Sequence, residues 1–364
     1  MGGGWAGAMR LRRYVDEQVR VTFEEEEARG ACVYSYSDAV RRDLGVRIAA
    51  GEKIIMPMPG LYARAEFWES LNPAERMLAQ MKALACMHGE WYFCGLSAAV
   101  AYGLSVSYAL LDAVEIACAT GSRRYHGGKV RARHIDIDDE VAGYASGVFV
   151  TSVPRTVFDC LRQMSFRDGC ALVDSALRLG LINKDELKAY FDQKKGGYRG
   201  IRQAYRTLAF ADGRSGSGGE SIARAAMWEL GFAAPELQAE FRDPVDGGVF
   251  YTDFCWRTAD GRLIVGELDG GEKYVNPAMT GGRSAEQVRR AERFRESRLT
   301  AVSSAVVRFS PETVASDYEF SRLLDAFGVP RDHEPLVEVT PAAARPVAFE
   351  PPPVERVPVE AYGL

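Results

Sequence analysis

The chain has 364 residues, 47% hydrophobic and 26% charged, with a formal net charge of -5 and a mean hydropathy of -0.17. That balance suits a globular protein of two or three domains and excludes bulk disorder, a collagen-like repeat and a strongly basic nucleic-acid coat, while still allowing a local basic face. The most apolar stretch, 96–118, is interrupted by Ser105, Ser107, Asp112 and Glu115, and MGGGWAGAMRLRR lacks the apolar core of a secretory signal, so a cytoplasmic protein with no membrane partner is expected. The cysteines at 32, 86, 94, 118, 160, 170 and 255 include no C-x-x-C pair and read as reduced, mostly buried thiols. His88, His126, His134 and His333 lack zinc-ligand spacing, so a catalytic metal would be held by oxygen.

In chain order, Arg10 to Arg29 predicts an irregular amphipathic helix. Ser37 predicts the N-cap of a second helix, Asp38 to Ala50, ending at Gly51. KIIMPMPGLYAR then reads as a small β-hairpin. Asn72-Pro73 opens a helix through roughly Met87, and Ser97 opens another short one. Residues 112–151 alternate β-prone runs with glycine turns and predict a small sheet. From Ser152 the pattern returns to helices, one of them opened by a capping box from Asn183 to Glu186. DGRSGSGG at 212–219 has the composition of a linker. Beyond it the order is helix (Glu220 to Leu230), three strands (Leu237 to Phe241, Val249 to Trp256, Leu263 to Leu268), helix (Ala285 to Leu299), strand (Val302 to Phe309) and helix (Pro311 to Phe327). Residues 333–364, rich in proline, valine and glutamate, predict a disordered tail.

The strand VFYTDFCW sets Asp253 among Phe250, Phe254 and Trp256, where an unpaired carboxylate is costly. On the next strand, Glu267 and Asp269 are two residues apart and expected on one face. If the strands pair, Asp253, Glu267 and Asp269 converge into a site suited to magnesium, which activates water for attack on a phosphodiester, with Lys273 as a positive group for the developing charge. Each has a plainer reading. Asp253 could bond backbone at a strand end, Asp269-Gly270 could be turn chemistry, and Glu220, three residues after Ser217, fits a capping box as well as an active site. Arg41, Arg42 and Arg47, with Lys53 entering the hairpin, could contact phosphate and groove of double-stranded DNA. The alternative is a solvated helix face, and the acidic run Glu24 to Glu27 must then face away from DNA. The helix of Arg289, Arg290, Arg293, Arg295 and Arg298 among Glu286, Glu292 and Glu296 reads most simply as a salt-bridged surface.

SGSGGESIARAAMWELGF, YTDFCW, IVGELDGGEKY, QVRRAERFRESRL and SSAVVRF together resemble the PD-(D/E)XK nuclease superfamily, in its branch related to very short patch repair endonucleases, over about 215–328. The resemblance implies a magnesium-binding core in which Asp253 and Glu267 hold metal, Glu220 supports them, and Gln287 or Arg290 meets DNA phosphate. It departs from the family at Asp269, where the simplest pattern has lysine, so that either Lys273 substitutes or catalysis is lost. SYSDAVRRDLGVRIAAG with EKIIMPMPGLYAR resembles a winged helix-turn-helix of the AbiEi-type antitoxin kind, and FCGLSAAVAYGL with VTSVPRTVFDCL resembles the domain that follows it there. That architecture implies repression of an operon and a cognate toxin encoded nearby.

The expectation is a mixed α/β protein: a winged-helix DNA-binding domain over 10–66, an α+β connector over 67–211, a restriction-endonuclease-like α-β-β-β-α-β core over 215–330 and a proline-rich tail over 333–364. Its expected function is DNA binding in a toxin-antitoxin or phage-defence setting, with Mg2+-dependent DNA cleavage as the candidate activity. The alternatives are a transcriptional regulator with an inactive nuclease fold, or an enzyme acting on RNA or nucleotides with the same core.

Overall fold

A computed structural model describes residues 3–35, 37–119, 126–138, 141–194, 197–269 and 297–340 of this mixed α/β protein. The first part holds α1 (Gly3–Ala28), β1 (Val33–Tyr34), α2 (Asp38–Ala49), β2 (Ile54–Met58) and β3 (Leu61–Arg64). Ser37 caps α2 by accepting the Val40 N–H, and Gly60, at φ +81, turns the predicted hairpin. The sheet order is β1-β3-β2, closed over Val19, Phe23, Val33, Leu44 and Tyr62. One feature differs from the helix-turn-helix expectation. Residues 29–37, which join α1 to α2, carry β1, whereas a helix-turn-helix pair is joined by a three- or four-residue turn.

Next come α3 (Ala65–Ser70) and α4 (Pro73–Met87). Asn72 accepts the Ala74 and Glu75 N–H groups while Glu75 accepts the Asn72 N–H, the reciprocal capping that fixes this helix start. They lead into β4 (Tyr92–Phe93), α5 (Gly95–Ala101), β5 (Val114–Cys118), β6 (His126–Gly127), β7 (Val130–His134), β8 (Ala142–Ala145) and β9 (Val148–Thr151). These strands form one sheet in the order β6-β7-β5-β4-β9-β8. The sheet is wider than the three β-prone runs suggest because β4, β6 and β8, at two, two and four residues, are too short to show an alternating pattern. α6 (Val153–Leu161), α7 (Phe166–Arg178), α8 (Lys184–Gln193) and α9 (Ile201–Phe210) then pack around Phe158, Leu172, Leu187 and Phe191.

The last part contains α10 (Gly218–Glu229), β10 (Glu236–Arg242), β11 (Val249–Arg257), β12 (Leu263–Leu268), β13 (Ala305–Phe309), α11 (Pro311–Ala315) and α12 (Asp317–Ala326). Its sheet runs β10-β11-β12-β13, antiparallel at the first two junctions and parallel at the third. One face carries Leu237, Phe254, Trp256, Ile264, Val307 and Phe309 against Met227 of α10 and Phe320 of α12. The other carries Ala239, Phe241, Cys255 and Val265 with Leu299 from the helical segment 297–302. The single helix predicted from Pro311 to Phe327 is two, because the extended residue Ser316 breaks it and caps the second by accepting the Glu319 N–H. Most of the helix predicted from Ala285 to Leu299 lies outside the described residues.

The segment 212–219, predicted as a linker, is a turn inside a packed interface. Arg224 of α10 pairs with Asp174 of α7 at 2.8 Å, both side chains buried, and the other Asp174 oxygen accepts the Asp212 N–H at 2.7 Å. Arg178 donates to the Ser215 carbonyl, and a Cβ on Gly218 would lie 2.8 Å from that of Ser105. Residues 333–340, assigned to the tail by composition, are also seated. The Leu336 N–H donates to the Glu229 carbonyl, and Val337 and Val339 pack against the core of the last sheet. Residues 341–364 lie outside the described residues. Among those described, no helix is long and apolar enough to cross a membrane. The cysteines are free, and burial pushes the Cys32 thiol up to about 12 and Cys160 higher still.

Candidate functional site

β11 and β12 pair from Arg257↔Leu263 to Phe254↔Gly266, so Asp253 and Glu267 are the next opposed residues. There the ladder changes, because the Leu268 N–H donates to Asp253 Oδ2 at 2.9 Å, a side chain taking a bond that the strand backbone would otherwise accept. Gly266 permits this approach of the strands: a Cβ there would sit 3.0 Å from the Trp256 ring and 3.2 Å from Phe254. Asp253 is half-buried, whereas Glu267 is only 4% exposed. Alternation sets Glu267 on the face of Val265 and Leu299.

The row extends to both sides. On β13, Arg308 is the parallel register partner of Glu267, on the same face as Val306. Asp269 lies just past the end of β12, where its N–H donates to the Phe309 carbonyl and its Oδ1 stands 3.0 Å from Arg308 Nη2. On β10, Gln238 lies between the pairs Leu237↔Phe254 and Ala239↔Thr252, opposite Asp253, and holds φ +50, a left-handed value uncommon outside glycine. Its amide donates to Glu220 Oε2 at 3.2 Å, and the same oxygen accepts the Gly216 N–H at 2.7 Å. Glu220 thus fills two parts at once, as the third residue of a helix start whose N–H is capped by Ser217, and as the end of this polar row.

The acids singled out from sequence, Asp253, Glu267 and Asp269 with Glu220, are therefore distributed. Asp253 and Glu267 are opposed on adjacent strands, Glu220 bonds Gln238, which stands at the register position opposite Asp253, and Asp269 pairs with Arg308. Among the described residues, no group of three or more His, Cys, Asp and Glu side chains is arranged to hold a metal. Lys273, Gln287 and Arg290 lie outside the described residues. Gln238 and Arg308 were not singled out from sequence, although a lone arginine in the apolar run AVVRF was a legible signal. A cleft of about 860 Å3 adjoins the row, with Glu220, Gly219 and Leu268 at one side and Ser105, Ser107 and Tyr108 at another.

In the first part, the arginines predicted to meet DNA differ from one another. Arg47 is 21% exposed and paired with Asp16, Asp43 and Glu52, which makes it a clasp between α2, α1 and the approach to the hairpin. Arg41 pairs with Asp38 and donates to the Ser35 carbonyl. Arg42 is exposed, its Nε bonded to the Asp38 carbonyl, and Lys53 is exposed at the start of the wing. With Ala39 and Val46, Arg42 makes an outward stripe on α2. The acidic run is largely neutralised locally: Glu24 by Arg20, Glu26 by Arg29 and Glu27 by Arg64.

No family model matches the chain, and no solved structure matches it. Two uncharacterized proteins of Mycobacterium tuberculosis, MT2308 of strain CDC 1551 / Oshkosh and Rv2248 of strain ATCC 25618 / H37Rv, are each similar to it at 34% identity over 133 residues. The similarity covers 36% of this chain and 47% of each relative, so the chain spans about half the length of the curated relatives it matches.

Proposed function

We propose that the last part of the chain is a PD-(D/E)XK-type nuclease core acting on DNA, and that the first part docks double-stranded DNA along the outward stripe of α2 and the wing. The observation that carries the reading is the pair Asp253 and Glu267, two carboxylates opposed on adjacent strands where the Asp253 side chain takes over the Leu268 N–H. An acid opposed to an acid, one of them buried, makes a place where a cation can add stability. The donor set is all oxygen and fits Mg2+, which is commonly held by one or two carboxylates together with substrate phosphate. When bound, the ion would supply charge stabilisation at the phosphoryl oxygens and a more acidic water. Asp253 and Glu267 would hold it, and Glu220, tied to Gly216 and Gln238, would keep the helix start of α10 against this end of the row.

A second reading, an antitoxin-like regulator with a cognate toxin and an inactive nuclease fold, is favoured by Asp269 in the position of the family's lysine. Plasmid cleavage separates the two. Magnesium-dependent nicking by the wild type that is lost in Asp253→Asn supports the nuclease. Operator binding without cleavage in either protein supports the regulator.

A further inference from the structure

The residue two positions after Glu267 is an acid, yet a positive charge reaches this point of the sheet from the neighbouring strand. Arg308 is the register partner of Glu267 in the parallel β12–β13 ladder, and alternation sets both on the face of Val265 and Val306. Residues so paired have their Cβ atoms roughly 5 Å apart. Nη2 of Arg308 stands 3.0 Å from Asp269 Oδ1, and the Arg308 side chain is 28% exposed although its Nε is buried, so that the side chain is held without being enclosed. The Asp269 N–H, bonded to the Phe309 carbonyl, ties the backbone of the holding residue to the strand that carries the arginine.

We propose that Arg308, oriented by Asp269, is the cation that meets the phosphate of the bound strand beside Asp253 and Glu267, and that Asp269 is a positioning residue and not a metal ligand. This rests on the nuclease reading above. The chemistry suits the placement. Two carboxylates repel a phosphodiester, and a neighbouring guanidinium offsets that repulsion with N–H donors in a planar fork that matches phosphate oxygens two at a time. Asp269 fixes the plane of that fork. An acid at 269 is then the complement of an arginine at 308, and the missing lysine becomes an exchange of one cation for another from the next strand.

The test uses the full chain with four variants: Asp253→Asn, Arg308→Gln, Arg308→Lys and Asp269→Asn. Thermal melting with and without magnesium or manganese comes first. A metal-dependent rise in the wild type that is lost in Asp253→Asn supports the metal reading, and its absence in the wild type overturns that reading whatever Arg308 does. Binding of a duplex oligonucleotide in calcium, followed against salt, then reads the phosphate contact. Arg308→Gln is expected to keep the metal-dependent rise, to lower the salt slope by about one unit and to slow cleavage by about 10²-fold or more. Arg308→Lys is expected to restore the slope. Asp269→Asn is expected to keep both the rise and the slope while slowing cleavage, because the cation remains but its plane is loosened. Arg308→Gln with the wild-type slope and cleavage rate would overturn the phosphate contact. Loss of the metal-dependent rise in Asp269→Asn would make that residue a ligand and overturn its positioning role. If Arg308→Gln does not fold, Asp269→Asn decides alone, since a wild-type cleavage rate in it removes the orienting pair.

Discussion

Glu115 of β5 and Glu267 of β12 are the glutamates buried on strands among the described residues, at 2% and 4% exposure, and their surroundings differ. Glu115 has a partner for each oxygen. Oε1 pairs with Arg133, which Gln163 holds at 2.5 Å, and Oε2 accepts the Leu96 N–H at 2.9 Å. Glu267 has a second carboxylate, Asp253, as its opposed residue, and its register partner Arg308 pairs with Asp269. Burial alone therefore does not mark a site. Both glutamates have partners, and what sets Glu267 apart is a second carboxylate opposite it, which is where a ligand can contribute.

The strongest form of the compensated case is Asp174, and it should give the largest effect. Replacing Arg224 with methionine leaves that carboxylate buried between α7 and α10 with only the Asp212 N–H and neighbouring hydroxyl chemistry, and about 3–5 kcal/mol of stability should be lost in denaturant melts. Asp174 also carries a pH signature. Burial raises its pKa above the ordinary carboxylate value, although Arg224 opposes the shift. The folded state then holds the proton more tightly than the unfolded chain, so this contribution is fully present below the unfolded pKa and is lost as pH rises through the raised folded one. Melts of wild type and Asp174→Asn between mild acid and neutrality should converge or cross in that direction. A wild type that gains stability relative to the variant as pH rises would break the assignment.

The two strand glutamates give the next largest contrast. Glu115→Gln removes a charged acceptor from Arg133 and should cost about 1.5–3 kcal/mol. Glu267→Gln, measured without divalent ions, removes a charge opposed to Asp253 and should cost less than Glu115→Gln. Saturating magnesium should reverse the order. At 100-fold over its dissociation constant a ligand specific to the native state adds about 2.7 kcal/mol, and the glutamine variant should forfeit most of it. Equal costs for the two variants without metal would mean that the opposition of Asp253 and Glu267 adds no repulsion.

Legibility followed the same division. Helix starts at Ser37, Asn72 and Asn183 were readable because each cap is a local chemical event among residues two or three apart. The order α-β-β-β in the last part was readable from its alternating strands and Asp/Gly turns. What escaped was long-range. The segment 212–219 has the composition of a linker but sits in an interface held by Asp174 and Arg178, one of them 38 residues away in sequence from the N–H it accepts. Arg308 is paired with Glu267 only through a parallel crossover, so nothing near it in sequence announces the contact. Gln238 reads as an ordinary strand residue, and its left-handed backbone is visible only once β10 is paired.

The smallest expected effect concerns the arginines of the first part, where sequence treats Arg42 and Arg47 alike and the structure does not. Arg47 is enclosed by three acids, so its charge is spent inside the unit. Arg47→Ala should lower the stability of the α1–α2 packing while leaving the salt dependence of DNA binding intact. Arg42 is exposed on the stripe with Ala39 and Val46, where short side chains let the helix approach a duplex closely. Arg42→Ala should leave folding within about 0.5 kcal/mol of wild type and reduce the slope of log K against log salt by about one unit. Arg41 lies between the two, since its pairing with Asp38 must be exchanged for a phosphate, and Arg41→Ala should lower the slope by less than Arg42→Ala. Salt titrations of a labelled duplex against the three variants rank them directly. A slope that falls for Arg47→Ala but not for Arg42→Ala would remove the outward stripe of α2 as the proposed reader.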